Sequence, residues 1–369
     1  MAKKSTKPEV VTKPVDTVPR CVKVLVPDAL RHVLDDLYPK ALDAARGMLK
    51  NRDLKSSKDW PTLPCVVSKS LIAKYQRVAT CKEIHNLVMP ICGDKGKQVK
   101  LAEGGVRVPA LFKKAVLPVR WPSAVEGFVR QVEFFRRDGQ WLAAVCYNTK
   151  AQPAIEPTGV VGVDRNSVGN IAVLADPQTG TVRKLGINPA KTKQVYRNRR
   201  ANLQAAGKVK ALKKIKRKQS RRMTYENHRA SKTVVDYAVS HCRVIVLEDL
   251  GTVREKGSKI KRYSEKNQWA FYQLEQFIRY KAAMRGVPVC RVDPAYTSQQ
   301  CSRCGSIHKP DGKHYQCKTC GHNEHRDANA AFNIAKRGAL VLSGLGLRVF
   351  KSGSIGGPQA GKDLSECGE

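Results

Sequence analysis

The spacing of apolar and polar positions changes several times along this chain, and each change marks an element. From Asp28, the run DALRHVLDDLYPKALDAARGML repeats apolar residues at helical spacing behind an acidic first position, which predicts an amphipathic helix. SKSLIAKYQRVATCKEIHNLV, from Ser68, predicts a second, so the stretch from Val22 to about Lys100 reads as mostly helical. Between Val106 and Asn148 the period falls to two. Two β-rich runs in VEGFVRQVEFFRRDGQWLAAVCYN flank Asp138-Gly139, a pair suited to the left-handed backbone of a tight hairpin loop.

The second half is richer in elements. VVGVDRNSVGNIAVLADPQTGTVRKL, from Val160, holds three short β-runs split by Asn166–Gly169 and Asp176–Gly180, a three-stranded meander. The stretch from Lys191 to Arg222 predicts one or two helices. Then come helix ASKTVVDYAVSHC, strand RVIVLEDL ending at Leu250, helix NQWAFYQLEQFIRYKAAMRG, strand VPVCRVD and a last helix DANAAFNIAKRG. Meander, helix, strand, helix, strand, helix is the order of a ribonuclease H-like fold: a mixed sheet with helices on both faces, its later strands reached by helical crossovers. Both ends of the chain lack such patterns. Residues 1–18 read as a flexible basic arm, and the Gly- and Ser-rich tail from about Leu340 predicts little order.

Three acids fall at informative places in that topology. Asp164 follows the apolar VVGV run on the first strand and shares a face with Gly162; Glu248 ends the VIVL strand; Asp327 opens the last helix. Taken singly, each has a plainer reading, as a turn residue, a strand-end surface acid and a helix cap. Together they can converge on one sheet edge. Hard Mg2+ or Mn2+ prefers carboxylate oxygens, and two such ions serve phosphodiester hydrolysis.

Charge sharpens the picture. The chain carries 68 Lys+Arg against 31 Asp+Glu, a formal charge of +37, which repels itself unless a polyanion neutralises it. Nucleic acid is the expected partner. An anionic membrane surface is the competing one, but no long amphipathic run with a bulky apolar face supports it. No acid interrupts the stretch from Lys191 to Arg222, so Arg197, Arg199, Arg200, Lys213, Lys214, Lys216, Arg217, Lys218, Arg221 and Arg222 are candidate phosphate contacts. Few aromatics accompany them, which points to backbone binding and not base reading. Arg254–Lys266 is a second basic segment of similar promise.

Of the 12 cysteines, Cys301, Cys304, Cys317 and Cys320 form two CxxC pairs, each followed by glycine. That spacing suits one closed tetrahedral Zn2+ site of structural role, supplying the folding free energy that so short a segment lacks. One of His308, His314, His322 or His325 replacing a cysteine is the alternative. With no secretory signal and no apolar run of about 20 residues, metal-binding thiols imply an intracellular, cytoplasmic protein associated with the nucleoid.

The assembly GVDRN, VLEDL, NQWAFYQLEQFIRYKAAMRG, PAYTSQQCSRCG, CKTCG and HRDANAAFNIA, over residues 156–340, resembles the TnpB family of transposon-associated RNA-guided nucleases and the related type V CRISPR effectors. The resemblance implies an RNA-guided DNA endonuclease whose RuvC site uses Asp164, Glu248 and Asp327 with two Mg2+ or Mn2+ ions, plus one structural Zn2+. Its partners would be a guide RNA and target double-stranded DNA, the target being chosen by pairing beside a short flanking motif. It also implies a division of the chain: an arm at 1–18; an α+β module at 19–155, with a wedge β-module and a helical recognition insertion; and a RuvC-like α/β domain at 156–296 with the basic insert 191–222. A zinc ribbon at 297–324, the final RuvC helix at 325–340 and the tail 341–369 complete it. Two other functions stay open: a guided DNA-binding regulator with a silent nuclease, and a guide-independent RuvC-type nuclease.

Overall fold

Asp138 and Gly139 hold positive φ angles of 50° and 79°. This is the twist a two-residue hairpin loop needs, and Arg137 pairs directly with Gln140 across it. The computed structural model describes residues 16–51, 53, 56–76, 84, 86–215, 218–250 and 265–344. These divide into two units, Asp16–Ala151 and the described residues from Gln152 onward.

The first unit contains β1 (Thr17–Leu25), α1 (Asp28–Lys50), α2 (Cys65–Leu71), β2 (Val88–Cys92), β3 (Lys100–Ala102), β4 (Gly105–Arg107), α3 (Pro109–Phe112), β5 (Val116–Pro118), β6 (Glu126–Arg137) and β7 (Gln140–Lys150). β1, β7, β6 and β2 make a four-stranded antiparallel sheet in that order, and β3, β4 and β5 a smaller one. Alternate residues Val132, Phe134, Ala143 and Val145 bury against Leu34, Ala41 and Met48 of α1 and Val67 and Leu71 of α2. Each large aliphatic buried this way contributes about 1.5–3 kcal/mol.

The second unit contains β8 (Gly159–Arg165), β9 (Ala172–Ala175), β10 (Val182–Leu185), α4 (Pro189–Ala205), α5 (Val209–Ile215), α6 (Lys218–Ser240), β11 (Arg243–Glu248), α7 (Glu265–Met284), β12 (Val289–Val292), β13 (His314–Gln316), β14 (Asn323–His325) and α8 (Arg326–Gly344). Its main sheet runs β10-β9-β8-β11-β12. β8, β9 and β10 are antiparallel neighbours, while β8, β11 and β12 run parallel. This is the mixed, doubly covered sheet expected of a ribonuclease H-like chain. Every residue of β8 is buried, because helices lie on both sides. Val161, Val163, Ile245 and Leu247 face Val234 of α6 and Leu274 and Ile278 of α7. The alternate residues Val160, Val244 and Val246 face Ile334, Ala335 and Ala339 of α8. Gly162 lies on that second face, where a Cβ would stand 2.0 Å from the Ala331 carbonyl oxygen. Its bareness lets α8 lie directly on the central strand.

Several sequence expectations need correction. The arm expected over 1–18 is already strand at Thr17 and Val18, because Val18 buries its side chain in pairing with β7. The mostly helical reading from Val22 to Lys100 misses the remainder of β1 and all of β2, strands whose partners lie far along the chain. The helix expected from Ser68 starts at Cys65 and loosens into a π-type turn over Ile72–Gln76. The basic insert holds α4, α5 and the first residues of α6, with a break at Gly207, whose φ of +64° ends the α4 segment. The last helix runs past residue 340 to Gly344, since Leu342 still packs in its core. Residues 251–264, which hold most of the second basic segment, and the tail 345–369 lie outside the described residues. No described helix is long and apolar enough to cross a membrane.

Candidate active site and metal centre

The register of β11 on β8 pairs Val246 with Gly162 and Leu247 with Val163, so one further step sets Glu248 beside Asp164. Both side chains project to the α8 face, by the same alternation that puts Val160 and Val246 there. Asp327, in the first turn of α8, reaches the same place from above. Gly169 marks the close approach, since a Cβ there would lie 3.9 Å from Asp327 Oδ2. The sheet thus brings together three acids separated by many residues of sequence, at the carboxyl ends of two parallel strands.

All three are buried, with 8%, 8% and 2% exposure for Asp164, Glu248 and Asp327, so each carboxylate requires polar partners. Asn166 Nδ2 donates to Asp164 Oδ2 at 2.9 Å. Thr297 Oγ1 donates to Glu248 Oε1 at 2.6 Å. Lys313 Nζ donates to Asp327 Oδ2 at 2.5 Å and lies 3.5 Å from Asn166 Oδ1. Burial pushes the Asp164 carboxyl well above its usual range, and the charges of Glu248 and Asp327 push it further, against Asn166 and Lys313. Burial likewise raises Glu248, opposed by Thr297, Arg165 and Arg337. Repulsion among like charges with little water between them is what a divalent cation relieves. The donor set, carboxylate oxygens only, fits Mg2+ or Mn2+.

Beneath this cluster Arg165 is fully buried. Its Nη1 donates to Glu275 Oε2 of α7 at 2.7 Å and its Nη2 to the Glu248 carbonyl oxygen at 2.5 Å. This ties α7 to the ends of β8 and β11.

The cysteines form a different kind of centre. Cys301, Cys304, Cys317 and Cys320 offer sulfurs within 4.8 Å of one another, and among the described residues they alone gather three or more potential ligand atoms so tightly. Cys301 and Cys320 sulfurs lie 3.8 Å apart and those of Cys304 and Cys317 3.5 Å. A tetrahedral Zn2+ with arms of about 2.3 Å would have edges of about 3.8 Å, so the cage has the size of that ion. The two knuckles repeat one geometry. Gly305 N–H donates to the Cys301 carbonyl and Gly321 N–H to the Cys317 carbonyl, both at 3.0 Å and both with φ in the left-handed region. Hydrogen bonding with Ser306 draws the Cys304 thiol down to about 6, whereas, against a backbone hydrogen bond at His322, burial and the neighbouring cysteines push Cys320 up to about 12. The alternative histidine ligands lie elsewhere: His308 faces Thr319 and His322 faces Ser302.

Of the candidate phosphate contacts, Arg197, Arg199, Lys213, Lys214, Lys218, Arg221 and Arg222 are exposed. Arg200 is half-buried and donates to Gln219 Oε1, and Arg222 is partly committed to Glu226 at 3.1 Å. Lys216 and Arg217 lie outside the described residues. α4 buries none of its residues, so no face of this helix is spent on the core.

Sequence reasoning passed over five residues of the site: Asn166, Thr297, Lys313, Asn329 and Asn333. Two polar amides four residues apart on the alanine-rich face of the last helix were the available signal. Asn329 and Asn333 both donate to the Gln300 carbonyl, at 2.7 and 2.6 Å, pinning the start of the ribbon to α8.

Sheet order, buried acids at the strand ends and a four-cysteine ribbon inserted before the last helix define the class: an α/β protein with a RuvC-type core. Residues 271–334 match the Cas12f1-like TNB domain family. The CRISPR-associated endodeoxyribonuclease Cas12f1 of Sulfoacidibacillus thermotolerans is 36% identical over 132 residues, 35% of this chain and 30% of that protein. A TnpB-like protein of Methanocaldococcus jannaschii is 28% identical over 196 residues, 50% of this chain and 70% of that one. A Cas12f1 chain solved by cryo-EM in complex with sgRNA and target DNA shares the fold, with a TM-score of 0.58 over 86% of this chain and 99% of that one, at 13% identity. Over these segments the chain is similar to TnpB-like and Cas12f proteins, the resemblance its motifs carry. It spans less than two thirds of the length of the Cas12f relatives it matches.

Proposed function

We propose that this protein is an RNA-guided DNA endonuclease that hydrolyses phosphodiester bonds at a single RuvC-type site. The observation that carries the reading is the convergence of Asp164, Glu248 and Asp327, from β8, β11 and α8, on one buried face. The names of the relatives, a CRISPR-associated endodeoxyribonuclease and TnpB-like proteins, support it.

In this reading the three carboxylates hold two Mg2+ or Mn2+ ions. Bound there, the ions supply Lewis acidity to an incoming water and to the departing 3′ oxygen. The chain's own residues do the rest. Asn166 fixes the carboxylate of Asp164 by a hydrogen bond. Lys313 brings a positive charge to the mouth of the site, where a phosphate would lie. Arg197, Arg199, Arg200, Lys213, Lys214, Lys216, Arg217, Lys218, Arg221 and Arg222 hold nucleic-acid backbone by charge, with base pairing to a guide RNA reading the sequence beside a short flanking motif. Residues 19–155 serve as the wedge and recognition module, and Zn2+ in the cysteine cage keeps the ribbon folded.

The test is to express the chain with its native flanking DNA, purify it and sequence the RNA that accompanies it. One abundant RNA with a variable terminal segment is the expected result. RNA of no defined species would overturn guided targeting and leave a guide-independent nuclease.

A further inference from the structure

We infer that Thr297 is a positioning residue for Glu248, and that the helix carrying Asp327 delivers it there through Asn333. The inference rests on the nuclease reading above, but it concerns a residue to which that reading gives no role.

Thr297 sits at the base of the ribbon, four residues before Cys301, and is 4% exposed. A threonine hydroxyl has one proton. Its oxygen lies 2.6 Å from Glu248 Oε1 and 3.2 Å from the Pro294 carbonyl, so the carboxylate is the stronger acceptor. That bond occupies one lone pair of Oε1 and fixes the rotation of the carboxyl group, and with it the direction in which its remaining lone pairs would meet a metal.

The backbone around Thr297 is held by α8. Asn333 Nδ2 donates to the Thr297 carbonyl at 2.9 Å and to the Gln300 carbonyl at 2.6 Å, using both amide protons. One turn earlier, Asn329 donates to the Gln300 carbonyl and accepts from Ser302 N–H at 2.8 Å. One turn later, Arg337 donates to the Asp293 carbonyl at 2.8 Å and to Gln300 Oε1 at 3.0 Å. Asp327 opens this same helix. The clamp therefore sets the reach of Thr297, and so the aim of Glu248, in the frame of Asp327. Two acids on different elements gain a common reference that sheet pairing alone does not give them.

Outer hydrogen-bond partners of metal-binding carboxylates change metal affinity or activity by about 10–100-fold when removed. The experiment compares wild type, Thr297→Val and Thr297→Ser as full chains. Mn2+ binding is read by EPR, alongside zinc content, melting temperature and the Mg2+ concentration for half-maximal cleavage of a matched DNA. Thr297→Val keeps the shape without the hydroxyl. We expect its Mn2+ affinity to fall and its half-maximal Mg2+ to rise by about 10-fold. Thr297→Ser should restore both to within about twofold, because the hydroxyl returns. Zinc content should stay at the wild-type value, while the melting temperature of Thr297→Val should fall by about 2–4 °C because a buried carboxylate oxygen loses its donor. Wild-type Mn2+ affinity in Thr297→Val, or a serine variant as impaired as the valine, would overturn the positioning role and leave the nuclease reading intact. Wild-type protein that binds no Mn2+ at the acids would overturn both.

Discussion

The described residues contain two candidate metal centres built on opposite plans. The cysteine cage is local: two knuckles within Cys301–Cys320, each closed by a glycine, with the sulfurs already gathered at zinc spacing. The acid site is assembled from β8, β11 and α8, and its carboxylates are set apart as hydrogen-bonded, mutually repelling groups. The first makes its own geometry from short-range turns. The second inherits its geometry from the sheet, from the closeness of α8 to Gly162 and from the ribbon that presents Thr297 and Lys313. Dependence should therefore run one way: damage to the ribbon reaches the acids, and damage to an acid does not reach the ribbon.

Removing an acid is the strongest way to separate the two. Asp164→Ala should lower cleavage by about 10^3-fold or more, as expected if about 4 kcal/mol of transition-state stabilisation by metal is removed. Zinc content and target binding should remain at wild-type levels. Loss of zinc in that variant would break the one-way rule. The reverse substitution, Cys304→Ser, should release zinc and also cut cleavage by about 10–100-fold, because the hydrogen bonds to Glu248 and Asp327 go with the ribbon. Elemental analysis beside a cleavage time course checks both halves, and full activity in a zinc-free variant would show the acids independent of the ribbon.

The basic helices belong to neither centre. Replacing Arg197, Arg199, Lys213 and Lys214 by glutamine should leave zinc and melting unchanged. It should also flatten the dependence of log affinity on log salt by about 0.9 for each duplex phosphate no longer neutralised. An unaltered slope would mean that these side chains meet only solvent. The smallest effect is expected at Gly162→Ala. Its added methyl group meets the Ala331 carbonyl, lifts α8 from β8 and should cost about 1–3 kcal/mol in unfolding free energy. Cleavage should fall modestly and zinc content not at all. A variant as stable as wild type would show that α8 has room to spare.

The same contrast explains what the sequence makes legible. CxxC spacing encodes the cage almost completely, because ligands and turns are neighbours in the chain. The acids are legible as positions in a topology: alternation puts Asp164 on the Gly162 face, and the VIVL run ends at Glu248. Their supporting shell is not. Thr297, Lys313 and Asn333 acquire meaning only when the ribbon folds back on α8, and no periodicity marks a hydroxyl, an ammonium or an amide as reaching across 14 to 49 residues. The strands β1 and β2 escape notice for a related reason, since their pairing is with residues far along the chain. The tight turn at Asp138-Gly139, where sequence neighbours decide the backbone, is plain from the start.

The most direct test of the central claim is programmed cleavage. The purified chain, loaded with RNA transcribed from its flanking DNA and carrying a chosen terminal segment, is given Mg2+ and a plasmid library that varies the bases beside a matched target. Cuts confined to plasmids with the match and one short flanking motif, absent with Asp164→Ala, are the predicted result. Cutting that ignores the RNA segment, or that survives in Asp164→Ala, would contradict the account.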